Sequence, residues 1–284
     1  MPTSARERLG RFGIWRSRFQ LEPELAAEIE RLGFGGLWVG GSPPADLTQV
    51  EELIAATTTL IVATSVMNVW QADPHETAAS FARIEGRHPG RFLLGVGVGH
   101  PEHTEGYRSP FETLAGFVDV VLADGVPRES LVLAALGPKV LRLSAERAAG
   151  ANPYLVPAEH SRVAREILGP DALLAPEHKV VIDPDPDRGR ALGRALVESP
   201  YLGLRNYTSN LIRLGWTEDD IRPPGSDALI DALVAHGTAE EVVPKVTAHL
   251  DHGADHVCLQ LITEQGVSPV PGYRELAGAL SLRR

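Results

Sequence analysis

The stretch "TTTLIVATSVMNVWQADPHETAASFARIEGRHPGRFLLGVGVGH", residues 57–100, contains two short apolar runs separated by a helical pattern. The runs, 60–66 and 92–98, have the length and β-branched composition of buried strands. Each run stops in polar or aromatic residues: Asn68 and Trp70 follow the first, and His100 follows the second. Because parallel strands end at the same edge of a sheet, the two ends are predicted to face one pocket.

The same alternation of apolar runs and helical patterns continues along the whole chain. Strands are predicted at residues 11–15, 36–40, 60–66, 92–98, 131–136, 152–156, 179–182 and 256–262. Helices are predicted between them, at residues 23–32, 47–56, 75–87, 111–123, 140–149, 159–168 and 239–252. Eight strands separated by helices predict an α/β fold, a (β/α)₈ TIM barrel. We expect a single domain over residues 1–284, with extra helices in the last crossover, at 184–237, where no flexible linker marks a second domain.

Composition excludes several classes of partner. The 284 residues have a formal net charge of -10, which disfavours nonspecific binding to nucleic acid or to an anionic membrane. No run approaches the roughly 18 apolar residues that a membrane span needs, so a cytoplasmic protein is expected. Cys258 is the only cysteine and lies in a predicted strand, so it is interpreted as a buried thiol.

The carboxyl ends of barrel strands and the loops after them form the active-site face. On this strand assignment the face is rich in glycine, amide and aromatic groups and poor in carboxylates; it includes Trp15, Gly40, Gly41, Ser42, residues 65–70, Gly99, His100, His103, residues 136–138 and residues 152–154. Such a surface favours a planar ligand over hydrolysis by paired carboxylates.

Two glycine motifs have different interpretations. Gly137, in "LAALGPKVLRL", lies between a strand and a helix N-terminus, where free N–H groups favour a phosphate; a plain strand-to-helix turn is the alternative. The motif "GVGVGH", residues 95–100, has the spacing of a dinucleotide fingerprint, but a loop rather than a helix follows it. Glycines inside a strand instead allow a ligand ring or a backbone to approach closely.

Metal and nucleophilic chemistry are weakly supported. His100 and His103 resemble a ligand pair, yet the other strand ends supply no further histidine or aspartate ligands, so no metal is predicted. His249, His252 and His256 are interpreted as part of a solvated helix end. The chain contains no G-x-S-x-G motif.

Taken together, the motifs resemble the luciferase-like monooxygenase superfamily, and within it the oxidoreductases that use the deazaflavin coenzyme F-420. The resemblance covers nearly the whole chain and rests on "GGLWVGG" (35–41), "ATSVMNVW" (63–70), "HPGRFLLGVGVGH" (88–100), "LAALGPKVL" (133–141), "GTAEEV" and "HGADHVCLQL". It implies a non-prolyl cis peptide at Ser65-Val66, against which the cofactor ring would rest. The cofactor-binding residues that it implies are Ser65, Val66, Met67, Asn68, Val98, Gly99, Leu136, Gly137, Pro138 and Tyr154.

The resemblance also implies a substrate side, formed by Trp15, Gly41, Ser42, Trp70 and His103. Gly41 and Ser42 replace an acidic residue and a histidine found in many deazaflavin enzymes, so His100 becomes the best acid/base candidate, with Asn68 and Trp70 in the same catalytic group. The alternative for His100 is hydrogen bonding to the cofactor alone.

The expected activity is hydride transfer between coenzyme F-420 and a small organic substrate. An FMN-dependent monooxygenase with a reductase partner is an alternative, and so is a noncatalytic deazaflavin carrier or sensor. A homodimer is expected from the resemblance alone.

Overall fold

The computed structural model describes residues 8–100 and 109–282, which form a parallel barrel wrapped by helices. Its strands are β1 (Phe12–Ser17), β2 (Gly36–Gly40), β3 (Ile61–Thr64), β4 (Met67–Asn68), β5 (Phe92–Gly97), β6 (Leu131–Leu133), β7 (Gly150–Ala151), β8 (Leu173–Leu174), β9 (Glu177–Ile182), β10 (Val234–Gly237) and β11 (Val257–Leu261). Its helices are α1 (Pro23–Arg31), α2 (Thr48–Ala55), α3 (Pro74–Arg87), α4 (Pro110–Ala123), α5 (Pro138–Arg147), α6 (Ala158–Leu168), α7 (Pro186–Glu198), α8 (Arg205–Arg213), α9 (Glu218–Ile221), α10 (Asp227–Leu233), α11 (Ala239–Asp251) and α12 (Val270–Ala279).

The barrel has eight strand positions. The ladder runs β9-β11-β1-β2-β3-β5-β6-β7-β8, and β4 extends the β3 position by pairing with β5. Strands β8 and β9 are separated by two residues, one of them Pro176, which has no N–H to donate to a ladder. They therefore occupy one strand position: β8 pairs with β7 and β9 pairs with β11, which closes the barrel. The predicted (β/α)₈ barrel is confirmed.

Local signals account for the helix starts. The carboxylate of Asp73 accepts a hydrogen bond from the Glu76 N–H at 2.9 Å, with Pro74 at the first helical position of α3. Thr238 and Glu241 form a capping box at the start of α11. These signals are readable in the sequence, and the predicted helix bounds agree with the observed ones within about two residues.

Several strand assignments differ from the prediction. The strand expected at 131–136 ends at Leu133, and β8 was not predicted. Strand six was expected at 152–156 but lies at Gly150–Ala151, because Asn152 turns its side chain into the barrel and Leu155 adopts a left-handed φ of 54°. The last crossover contributes a strand that was not predicted, β10, which pairs with β9. The extra helices predicted for this crossover are present as α7 to α10.

The prediction that His249, His252 and His256 form a solvated helix end is wrong for two of them, since His252 is partly exposed but the other two are not. His249 and His256 are both 0% exposed. The Trp38 indole N–H donates to His256 Nε2 at 3.0 Å, and His256 Nδ1 lies 2.9 Å from the Gly10 carbonyl oxygen. A carbonyl can only accept, so Nδ1 holds the proton and His256 is neutral.

A second buried histidine group lies between α6, β9 and α11. Ser161 Oγ is 2.8 Å from His249 Nδ1, and His249 Nε2 is 2.9 Å from His178 Nδ1. Burial lowers the pKa of His178 to about 3 and that of His256 to about 4. Cys258 is buried as expected. Within residues 8–100 and 109–282, no helix is long and apolar enough to cross a membrane.

These histidines predict a loss of stability in acid. An unfolded histidine binds its proton at about pH 6.5, whereas folded His256 binds only near pH 4, so the unfolded chain holds more protons between these values. The melting temperature should therefore fall as pH decreases from about 6.5 to about 4. A His256→Gln variant, which retains a donor and an acceptor but does not titrate, should show a shallower decrease in calorimetric melts. An equal slope in both proteins would contradict the assignment.

Candidate active site

A cavity of about 570 Å³ opens at the carboxyl ends of the barrel strands. Twelve of the residues predicted for the active-site face line it: Trp15, Gly41, Ser42, Ser65, Val66, Asn68, Gly99, His100, Leu136, Gly137, Asn152 and Tyr154. Val98, predicted to bind the cofactor, lines it as well. The ends of the predicted strands 60–66 and 92–98 therefore do face one pocket. The prediction of a common pocket is confirmed.

The peptide bond between Ser65 and Val66 is cis, as the resemblance implied. A chain of side-chain hydrogen bonds, here called the polar belt, holds this segment. The Trp15 indole N–H donates to Ser65 Oγ at 3.0 Å, and Ser65 Oγ donates to Asn152 Oδ1 at 2.6 Å. Asn152 Nδ2 donates to the Ala175 carbonyl at 2.6 Å. The belt thus joins β1, the end of β3, the end of β7 and the β8-β9 junction.

Glycines in β5 and after it allow this segment to pack closely. A Cβ on Gly95 would lie 1.9 Å from the Thr64 carbonyl oxygen, and one on Gly97 would lie 2.8 Å from Val66 Cγ2. Gly99 has φ of 61°, and its Cβ would lie 2.8 Å from Asn68 Nδ2. The glycines therefore allow neighbouring protein groups to approach, which was one of the two roles expected for them.

His100 lies at the end of this run. Its Nδ1 is 3.2 Å from Asn206 Oδ1, and its ring centroid is 5.3 Å from that of Tyr207. An amide oxygen only accepts, so this contact places a proton on Nδ1 of His100. Both partners come from α8 in the last crossover, and both line the cavity.

Gly137 is the N-cap of α5, and Pro138 occupies the first helical position. The free N–H groups of this helix start lie beside a guanidinium: a Cβ on Gly137 would be 3.5 Å from Arg213 Nη1. His160 holds the turn from behind, with Nε2 3.0 Å from the Leu136 carbonyl oxygen. Burial lowers the pKa of His160 to about 4, so it is a neutral donor at physiological pH. We call Gly137, the α5 N-terminus and Arg213 the anion cradle.

Sequence reasoning missed the contribution of the last crossover. It treated this segment as peripheral helices, yet Tyr201, Asn206, Tyr207, Ser209 and Arg213 all line the cavity. The signal was present: residues 206, 209 and 213 follow an i, i+3, i+7 spacing, which places them on one face of a helix. Asn206 is half-buried and Ser209 and Arg213 are exposed, so this polar face gave no burial signal that would place it at the cavity.

Three predicted site residues lie outside the cavity lining. Met67 is 0% exposed and its sulfur is 3.5 Å from Thr77 Oγ1, inside the barrel wall. Trp70 packs its ring against the main apolar core. Pro138 contributes to the helix start behind the cradle. His103 lies outside the described residues.

Charge is sparse around the cavity. Among the described lining residues, Arg213 is the one guanidinium or ammonium group, and none is a carboxylate. No group of three or more His, Cys, Asp or Glu residues that could hold a metal ion occurs in the described part of the chain. The lining therefore suits a ligand with an anionic group at one point and neutral polar or planar parts elsewhere.

Comparisons with known proteins agree with this geometry. Residues 16–123 match the sequence model of the family described as luciferase-like monooxygenase. An F-420-dependent secondary alcohol dehydrogenase, solved with an F-420–acetone adduct, superposes with a TM-score of 0.75 at 16% identity, covering 97% of this chain and 99% of that one. None of the curated proteins matches the chain in sequence.

Two further solved structures have the same fold. The coenzyme F-420-dependent tetrahydromethanopterin reductase from Methanopyrus kandleri has a TM-score of 0.70 at 15% identity, over 96% of this chain and 99% of that one. The oxygenating constituent of 3,6-diketocamphane monooxygenase from Pseudomonas putida, solved with FMN, has a TM-score of 0.64 at 15% identity, over 95% and 96%.

The chain thus matches the luciferase-like monooxygenase family over residues 16–123, on a barrel fold that it shares along nearly its whole length with F-420-dependent and FMN-binding proteins.

Proposed function

We propose that this protein is a coenzyme F-420-dependent oxidoreductase that transfers hydride between the deazaflavin and a small organic substrate. The observation that supports it best is the cavity itself, which has no described carboxylate in its lining and contains an anion cradle, a bulge held by the polar belt and a histidine. When bound, the deazaflavin supplies the hydride chemistry, and the protein supplies position, water exclusion and proton control.

The anion cradle fits the phosphate of such a cofactor. A Cβ on Gly137 would lie 3.5 Å from Arg213 Nη1, within van der Waals contact, so the guanidinium lies directly beside the start of α5. Helix N–H groups and a guanidinium are the donors that bind phosphate most strongly in proteins. A net charge of -10 makes such local donors necessary for an anionic ligand.

Helix α8 sets the separation between the cradle and His100. Asn206 contacts His100 and Arg213 contacts Gly137, and these two residues are seven positions apart on one helix. At about 1.5 Å per residue the two ends are roughly 10 Å apart. A cofactor with a sugar-alcohol chain between ring and phosphate has this kind of extent. In this arrangement Ser65, Val66, Asn68, Val98 and Gly99 would line the ring, and Leu136 would adjoin the phosphate.

His100 is the proposed proton donor or acceptor. Its imidazole has one ring nitrogen that donates and one that can accept, and it borders the cavity, so it can pass a proton to or from a bound substrate. Asn68 fixes the backbone of its own turn, because Asn68 Oδ1 accepts a hydrogen bond from the Trp70 N–H at 3.1 Å. Trp15, Gly41 and Ser42 remain on the substrate side.

The first prediction concerns cofactor choice. Fluorescence titration of the purified protein should show saturable binding of oxidised coenzyme F-420, with FMN binding at least about tenfold more weakly. Preference for FMN would favour the monooxygenase alternative, which needs a reductase partner. Binding of neither compound would contradict both assignments.

The second prediction concerns the anion cradle. Arg213→Gln should weaken binding of F-420 and FMN by about 10-fold to 100-fold, because a charge-assisted hydrogen bond is lost. Riboflavin, which has no phosphate, should change by less than about twofold. Arg222→Gln, which removes the same charge from an exposed position paired with Asp219, is the matched control. Equal losses for FMN and riboflavin would contradict the cradle.

The third prediction concerns His100. His100→Ala should leave F-420 affinity within about threefold while reducing turnover at least about 100-fold, the usual range for loss of a general acid or base. Turnover is followed by the absorbance of the coenzyme with a panel of small alcohols, ketones and enones. A parent protein that binds F-420 but turns over no member of the panel would favour the noncatalytic carrier; loss of binding in the variant would make His100 a cofactor ligand only.

A further inference from the structure

An aromatic wall forms one side of the cavity, and apart from Trp15, already placed on the substrate side, its members have no part in the proposed proton transfer. The wall consists of Trp15, Tyr154, Tyr201 and Tyr207, all of which line the cavity. Ring centroids of successive members are 5.3 to 5.5 Å apart for Trp15 with Tyr154, Tyr154 with Tyr201, and Tyr201 with Tyr207. Rigid rings at these spacings offer broad apolar contact to a planar or ring-shaped molecule.

Two hydroxyl groups of this wall, those of Tyr154 and Tyr201, form a hydrogen-bonded chain with Gln260, here called the hydroxyl relay. Tyr154 Oη donates to Gln260 Oε1 at 2.8 Å, and Tyr201 Oη lies 2.8 Å from Tyr154 Oη. Since Tyr154 has one hydrogen and gives it to Gln260, Tyr201 donates to Tyr154. Burial raises the pKa of Tyr201 to about 12 and also raises the pKa of Tyr154, so both remain neutral phenols.

The relay can present either polarity to the cavity. With Gln260 accepting, the terminal oxygen of Tyr201 is available as an acceptor. If the Gln260 amide turns by half a rotation, its Nε2 donates to Tyr154, Tyr154 donates to Tyr201, and Tyr201 directs its hydrogen to the cavity. A hydroxyl and a carbonyl oxygen are therefore equally acceptable partners, which matches the two oxidation states of a hydride-transfer pair.

A buried ion pair supports the wall from behind. Lys179 and Glu177 lie two positions apart on β9, so both point to the same face of the strand, and both side chains are 0% exposed. Lys179 Nζ is 3.1 Å from Glu177 Oε1 and 3.9 Å from the centroid of the Tyr154 ring. Glu177 Oε2 accepts from the Leu155 N–H at 3.0 Å, which fixes the turn after Tyr154.

Burial of this pair is unfavourable in itself. Burial lowers the pKa of Lys179 and raises that of Glu177, while their mutual attraction opposes both changes. Buried ion pairs seldom add net stability compared with apolar residues of similar volume, so a role in orientation is the better account. The pair clamps Tyr154 by its ring face and by the adjacent backbone, and the ring covers the ammonium charge on the cavity side.

We propose that the aromatic wall is a substrate subsite for a neutral, ring-bearing alcohol or ketone, whose oxygen binds the Tyr154-Tyr201 hydroxyl relay. Lys179 and Glu177 are positioning residues for this subsite. The inference rests on the proposed function for its catalytic meaning, and it moves Tyr154 from the cofactor side, where the sequence placed it, to the substrate side. The neutral character of the substrate follows from a described lining in which Arg213, at the cradle, is the one fixed charge.

The test uses three probes that differ in one group: 1-phenylethanol, acetophenone and ethylbenzene. Their dissociation constants are measured by ligand-observed NMR, with F-420-saturated and cofactor-free protein. The informative quantity is the affinity of each oxygenated probe relative to ethylbenzene. Tyr201→Phe and Tyr154→Phe should each lower this ratio about fivefold, since each loses a hydrogen bond without losing the ring. Tyr273→Phe, at a buried tyrosine in the main core, should leave the ratio unchanged.

The ion pair is tested with a double variant. Lys179→Met alone leaves the Glu177 carboxylate buried without its counter-ion and is expected to unfold the barrel. The double variant Lys179→Met, Glu177→Gln removes both charges together and should fold, as monitored by circular dichroism. It should lower the affinity of the oxygenated probes relative to ethylbenzene about threefold. A folded double variant with an unchanged ratio would remove the positioning role.

The outcomes separate this inference from the proposed function. If F-420 binds but the ratio is the same in both tyrosine variants, or if no probe binds the saturated protein at 10 mM, roughly the limit of useful fragment affinity, the subsite is wrong and the oxidoreductase assignment stands. If neither F-420 nor FMN binds while the tyrosine variants still lower the ratio, the subsite stands and the oxidoreductase assignment is wrong.

Discussion

The hydroxyl of Ser65, bonded on one side to Trp15 and on the other to Asn152, is the constraint on which the cavity depends. It fixes the segment where β3 gives way to β4 and joins three strand positions that are distant in sequence. Each buried bond of this kind costs about 1–3 kcal/mol if one partner is lost, because the other is left unsatisfied away from water. The bulge at Val66 can then pack over Gly97, and the loop after β5 places His100 at the mouth.

The last crossover supplies the part of the cavity wall that the barrel strands do not. The barrel strands supply the bulge, the glycines and the helix start at Gly137, but most of the side chains opposite them come from α8 and the short helical turn before it. The barrel strands and their ends contribute glycines, amides, a histidine and two aromatic rings, and α8 contributes an amide, hydroxyls and a guanidinium at spaced positions. A change in α8 would therefore alter ligand preference without disturbing the barrel.

Polar groups in the barrel interior have hydrogen-bond or ion-pair partners inside the protein. His256, the polar belt and the Lys179-Glu177 pair are buried. His256 and the belt bond to groups from other parts of the chain, whereas Lys179 pairs with Glu177 on the same strand, and the Glu177 carboxylate also accepts from the Leu155 N–H. A sequence pattern cannot reveal such pairings, because the partners are up to 246 positions apart, as for His256 and Gly10. His249 was interpreted as part of a solvated helix end, whereas its partners Ser161 and His178 come from α6 and β9.

The sequence by itself determined the architecture, the identity of the carboxyl-end loops and most of the barrel's share of the cavity, since strand and helix periods and capping residues are local signals that act within a few positions. The cis bond at Ser65-Val66 also followed from family resemblance. Only the tertiary structure decided that strand six ends before Asn152, that α8 faces the cavity, and that Tyr154 rests on a buried lysine. These depend on contacts between residues far apart in the chain, whose free energies arise only when the barrel closes and water is excluded.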